Sequence, residues 1–282
     1  MFKSVKNTVW AFDIEWVPDP NAARLLVDGL ENDATDLELM EALWKRGGAT
    51  VDDPRPFLKT ALSRIVSIAA VERRKRDDGS IALSLVSLPK NVDDPEETKE
   101  SSLISRFLLG VGQKKPQLVG YYSMSADIVI LIQRGIINGV EAKAFAQRPD
   151  KPWEGVDYFA RGSEYNIDLL DILGARGRGN PSLHEVATQS GIPGKFGVGG
   201  AQVADMWLRG ELKAIVDYNE CDAVSTYLLW LRVAHFGGFF DDAGYKEEQD
   251  RVRAMLEKLS ADEKYAHMAA YLDQWDRLQS VR

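Results

Sequence analysis

Short apolar runs alternate with stretches of helical spacing along the chain. Residues 9–12, Val-Trp-Ala-Phe, are apolar without a break and rich in strand-favouring types, the pattern of a strand buried on both faces. From 17 to 60 the period changes. Residues 21–30 and 36–46 place Leu25, Leu26, Leu37, Met40, Leu43 and Trp44 on helical faces, until Pro54 and Pro56 break the pattern. A helical insertion after the first strand is expected there. Residues 64–71 and 81–88 read as two strands of a hairpin, because Asp78-Gly79 suits a tight turn. The basic residues Arg73, Arg74, Lys75 and Arg76 then fall at a solvated hairpin tip. Residues 96–109 predict an amphipathic helix, 117–121 a short strand, 126–134 the start of a helix and 165–170 a fifth strand. Residues 182–189 are helical and stop at Gly191, with Pro193 behind it. A loop at 197–200 precedes helices over 203–207 and 212–236. After Gly237-Gly238 come two charged helices, 244–259 and 262–278.

Strand, hairpin, helix, strand, helix, strand, helices is the order of an α/β sandwich around a mixed sheet. A hairpin beside parallel crossovers does not fit a purely doubly wound sheet. The expected organisation is one domain over 1–238, with residues 239–282 as a helical extension packed on it. Neither repeats nor low-complexity tracts interrupt it.

Composition narrows the class. At 282 residues, 45% apolar and 28% charged, the chain suits a water-soluble globular protein. A net charge of -8 argues against a basic surface that coats nucleic acid, but leaves room for a small nucleic-acid site in which bound metal supplies positive charge. Cys221 is the one cysteine, so no internal disulfide can form. The N-terminal residues show no secretion signal and no apolar run nears the ~18 residues of a membrane span, so a cytoplasmic protein is expected.

Candidate chemistry lies in three stretches. In VWAFDIEW, Asp13 and Glu15 end the first apolar run. Alternation on a strand points both the same way, ~7 Å apart. Carboxylates adjoining a buried strand need a partner or a metal, unless the strand is emerging into water there. In LVGYYSMSADIVIL, Asp127 either joins them or places negative charge at a helix N-terminus. In DYNECDAVSTYLLWLR, Tyr218 and Asp222 share one helical face; the alternative is a packed tyrosine and a solvated acid. Four carboxylates meeting at one point would hold two divalent cations and could cut a phosphodiester with them.

Together these motifs resemble the DEDD superfamily of 3'-5' exonucleases in its tyrosine subclass. The likeness is to the bacterial family described as predicted 3'-5' exonucleases related to the exonuclease domain of family-B DNA polymerases, and spans about residues 8–236. FDIEWVPD resembles the first motif, LVGYYSMSADIVILIQRG the second and YNECDAVSTYLLWLR the third; NIDLLDIL and GIPGKFG fit the spacing between them. The resemblance implies a ribonuclease-H-like fold with a central first strand. It implies Asp13, Glu15, Asp127 and Asp222 as ligands of two Mg²⁺ or Mn²⁺ ions, and Tyr218 beside the attacking water. The sister subclass has His where this chain has Asp217, five residues before Asp222. Three positions depart from the pattern. Relatives carry Asn and Phe where this chain has Tyr122 and Ala126, and often Thr where it has Trp16.

The activity expected is 3'-5' hydrolysis of nucleic acid, single-stranded DNA first, releasing nucleoside 5'-monophosphates. RNA trimming and a non-catalytic binding or scaffold module are the alternatives. No polymerase region is evident, so proofreading or repair would need a partner protein. Trp16 and Tyr122 are candidates for stacking on a base, against core packing. Arg176, Arg178 and Lys195, in glycine-rich loops, are candidates for phosphate contacts, against solvated loop charges. Asp168 and Asp171 are expected to cap structure, and Cys221 to point away from the site.

Overall fold

The computed structural model describes residues 1–151, 153–160, 162–174, 179–195 and 200–281. Its five strands are β1 (Thr8–Pro18), β2 (Ser63–Lys75), β3 (Ile81–Leu88), β4 (Gln117–Gly120) and β5 (Asn166–Asp168). They form one mixed sheet in the order β3-β2-β1-β4-β5. β1 is central, antiparallel to β2 and parallel to β4. β3 joins β2 antiparallel, and β5 joins β4 in parallel. The helices are α1 (Pro20–Leu26), α2 (Asp36–Arg46), α3 (Glu100–Lys114), α4 (Asp127–Ile137), α5 (Lys143–Ala146), α6 (Leu169–Leu173), α7 (Leu183–Gln189), α8 (Gly200–Leu208), α9 (Leu212–Phe236), α10 (Asp242–Ser260) and α11 (His267–Ser280). A mixed five-stranded sheet flanked by helices, with a helical insertion and a helical tail, is the arrangement of ribonuclease-H-like folds.

Both faces of β1 are buried, and its alternation separates two cores. Val9 and Ala11 pack with α9, whereas Trp10, Phe12 and Ile14 pack with α3 and α4. Odd positions therefore face α9, which is where Asp13 and Glu15 must point. β1 runs six residues beyond the apolar stretch, because β2 continues to pair with it as far as Pro18. Between Glu15 and Trp16 the register shifts, with Glu15 opposite Ser67 and Trp16 opposite Ile65. The extra residue, Val66, bends the ladder beside the acids.

The insertion has its own core, in which Ala23, Leu39, Met40, Leu43, Trp44 and Leu58 meet Val17, Val203, Met206 and Tyr218. Leu25, Leu26 and Leu37 are exposed instead. α1 ends at Leu26 and buries its alanine face, and α2 turns Leu39 inward rather than Leu37. A buried ion cluster ties this insertion down. Arg134 of α4 donates to Asp19 (2.7 Å) and to Glu100 of α3 (2.6 Å), while Glu100 accepts from the Ile65 backbone (2.8 Å).

Three expectations need correction. The hairpin strands run through residues 73–75, and Arg73 is buried against Glu248 of α10 (2.6 Å) rather than solvated. The fifth strand stops at Asp168, whose side chain caps α6 by accepting from the Leu170 backbone (2.9 Å). α3 starts at Glu100 rather than 96, because Asp94 folds the preceding residues into a turn by accepting from the Glu96 backbone (2.8 Å). The tail packs through Val252, Leu256, Met268, Tyr271 and Trp275 into the core that holds Val9 and Ala11. No helix among the described residues is long and apolar enough to cross a membrane.

Candidate active site

A cavity of about 710 Å³ opens where the end of β1 faces α9 and the start of α4. Asp13, Glu15, Asp127, Tyr218 and Asp222 all line it. β1 supplies the first two on its α9 side. α9 supplies Tyr218 and Asp222 one turn apart. Asp127 is the first residue of α4, so it does lie at a helix N-terminus, yet it is buried and also accepts from the Ile14 backbone.

The β4–α4 connection is held tightly. Gly120 has room for no side chain, since a Cβ there would lie 2.4 Å from that of Ser123. Tyr122 sits in the left-handed region at φ 63°, unusual for a residue with a side chain. Asp168 holds it there by accepting from the backbones of Tyr122 (2.8 Å) and Met124 (3.0 Å). Asp168 thus braces the loop that delivers Asp127, a role local sequence does not reveal.

The carboxylates repel one another. Oxygens of Asp13, Glu15 and Asp222 come within 4.8 Å of each other. Burial, then the charges of Glu15, Asp222 and Asp127, hold Asp13 well above the usual carboxylate range. Glu15 is raised by burial and by Asp222. Burial pushes Asp127 up to about 7. It pushes Asp222 up to about 6, although Tyr218 donates to it and Lys195 lies near. Oδ1 of Asp222 is buried with no hydrogen-bond partner among the described residues. Tyr218 is itself raised by burial, then by Asp222, Glu15 and Asp13. Such a cluster of hard oxygen donors, strained by its own charge, fits divalent cations.

The other candidates are placed unevenly. Trp16, half-buried, and Tyr122, half exposed, both line the cavity. Lys195 is exposed at its edge, and its charge lowers Asp13, Glu15 and Asp222. Arg176 and Arg178 lie outside the described residues. Asp171 lies in the first turn of α6, behind the Asp168 cap. Cys221 is buried in the core, and burial pushes its thiol up.

A second group able to hold a metal ion, Asp217, Glu220 and His267, was not anticipated. His267 brings Nδ1 to 3.3 Å from Asp217 and Nε2 to 2.8 Å from Glu220. Lys213 also bonds Asp217, and Ser87 donates to Glu220 at 2.5 Å. Here Lys213 is bonded to Asp217 directly, whereas at the end of β1 the ammonium of Lys195 lies only at the cavity's edge. Asp-x-x-Glu on α9 was readable in sequence, but its partner from α11 was not.

Comparison with known proteins adds lineage. Residues 55–275 match the family described as a predicted 3'-5' exonuclease related to the exonuclease domain of PolB. No curated protein matches the chain. Among solved structures, the family B DNA polymerase from the hyperthermophilic archaeon Pyrobaculum calidifontis is similar, with 17% identity and a TM-score of 0.44. The alignment covers 80% of this chain and 25% of that one, so the chain spans a quarter of the polymerase's length. The family match takes in α4 with Asp127 and α9 with Tyr218 and Asp222, and by it this chain belongs to the predicted 3'-5' exonucleases related to the PolB exonuclease domain.

Proposed function

We propose that the protein is a metal-dependent 3'-5' exonuclease of the tyrosine subclass. It removes nucleotides from the 3' end of single-stranded nucleic acid, DNA first, as nucleoside 5'-monophosphates. The observation that carries this reading is the convergence of Asp13, Glu15 and Asp222 within 4.8 Å, with Asp127 and Tyr218 on the same cavity. Asp13, Glu15, Asp127 and Asp222 would hold two Mg²⁺ or Mn²⁺ ions, which when bound offset the carboxylate repulsion, make a water more acidic and stabilise the leaving 3'-oxygen.

The side chains set the remaining terms. Tyr218 keeps its proton at neutral pH, since its pKa is raised by burial and by the acids around it. Its one hydroxyl hydrogen goes to Asp222, which leaves the oxygen to accept from the water and orient it. Trp16 and Tyr122 offer ring surface to the terminal nucleotide, and the exposed ammonium of Lys195 offers charge to its phosphate.

The test is release of mononucleotide from a 5'-labelled oligonucleotide with Mn²⁺. Wild-type protein shortens it from the 3' end, and Asp13→Asn or Asp222→Asn lowers the rate by at least ~100-fold. Equal cleavage by wild type and both variants would remove the site. The same assay on DNA and RNA of one sequence decides the sugar.

A further inference from the structure

We infer that Phe57, carried by the insertion, is a base-stacking residue of this cavity, forming with Trp16 an L-shaped slot in which an unpaired nucleobase near the 3' end stacks on the face of one ring against the edge of the other. The inference rests on the exonuclease reading and names the residue through which the insertion selects unpaired ends.

Phe57 is 75% exposed, although its neighbours in sequence are anchored. Arg55 bonds Asp205 of α8 at 2.5 Å, and its guanidinium lies 4.8 Å from the centre of the Trp44 ring. Leu58 is buried in the insertion's own core. Pro56 fixes the backbone between them. The loop is thus tied on both sides of a ring left in water. Burying a phenylalanine stabilises a fold, so this exposure forfeits stability that the anchored flanks do not explain.

The ring is not isolated. It stands edge-on to Trp16, with centroids 6.4 Å apart and planes at 81°. Both rings line the cavity that holds Asp13 and Glu15. An apolar ligand would gain nothing from the acids, and a simple phosphate nothing from the rings. A nucleotide carries both chemistries, a phosphate that the acids would take through a bound divalent cation and a planar base that stacks. Stacking on an aromatic side chain favours binding whatever the base, because every base has a π-face. In a blunt duplex the terminal bases are already stacked and paired, so entering the slot costs their unpairing.

The experiment is a coupling measurement. Affinity for a fluorescein-labelled 12-nucleotide oligothymidylate is measured by anisotropy, with Ca²⁺ in place of Mn²⁺, for wild type, Phe57→Ala and Phe57→Trp. Oligonucleotides with one abasic site at each of the last four 3' positions are measured alongside. Phe57→Ala is expected to weaken binding about 5–100-fold, and Phe57→Trp to stay within about threefold of wild type. At one 3' position the abasic site costs wild type a similar factor and costs Phe57→Ala no more than about twofold, because the partner ring is already gone. Melting temperatures check that each variant is folded. Undiminished binding by Phe57→Ala overturns the inference, as do penalties that simply multiply, or wild-type protein that binds no oligonucleotide. Mononucleotide release by wild type with Mn²⁺ is scored separately: release with a silent Phe57 leaves the exonuclease reading standing and removes only the slot.

Discussion

At the scale of single residues, the site crowds together acids that burial and, for Asp13 and Glu15, the charges of neighbouring acids push above their ordinary range. Tyr218 shows the consequence most directly. Its hydroxyl donates to Asp222 and holds that acid lower than burial alone would. Tyr218→Phe is therefore expected to reduce turnover by ~10–100-fold and to move the acidic limb of the pH–rate profile to higher pH, because Asp222 then binds its proton more tightly. An unmoved limb with undiminished turnover would dismiss the hydrogen bond as a working part. That Asp13, Glu15, Asp127, Tyr218 and Asp222 line one cavity was expected from sequence: local rules marked each as a candidate, at the end of an apolar strand, the start of a helix or one face of a long helix, and the family resemblance joined them. Phe57 and His267 were not legible in sequence, because what distinguishes them is a neighbour supplied from far along the chain.

Among the elements, legibility followed the strength of local signals. α9 begins and ends as its apolar pattern and the following glycines predict, and β3 follows the Asp78-Gly79 turn as expected. β5 was overestimated because the Asp168 cap outweighs the apolar character of Leu169 and Leu170. Arg73 looked solvated because its partner, Glu248, is contributed by α10. The cluster of Arg134, Asp19 and Glu100 is the same kind of long-range contact, and it fixes where the insertion leaves β1. Arg134→Met is expected to cost ~3–5 kcal/mol in urea unfolding, since it strands two buried carboxylates, and Glu100→Gln in the same chain recovers part of that. Faster proteolysis within 20–60 should accompany the loss; unchanged stability would show that the cluster holds nothing.

For the molecule as a whole, the repelling acids make stability depend on pH in the unusual direction. Folded Asp127 and Asp222 titrate near about 7 and about 6, above the ordinary 3.8 of an aspartate. The folded state thus binds these protons more tightly than the unfolded chain. Their stabilising contribution is present below pH ~4 and is lost as pH rises through ~6–7. In metal-free protein, Asp127→Asn should therefore gain on wild type as pH rises from 4.5 to 7.5, by ~1–3 kcal/mol or a few degrees in Tm. Millimolar Mn²⁺ should raise wild type more than the variant at pH 7.5. A constant difference across that range would mean the acids are not straining the fold. Such strain is tolerable because of where Asp13 and Glu15 are mounted. β1 is paired with β2 along its whole length and with β4 over Val9–Ala11, and it is packed on both faces, so its amides should be among the slowest to exchange with deuterium, while those around Phe57 exchange early. Whatever threads into this cavity would meet an exposed aromatic rim before it reaches a base that does not give.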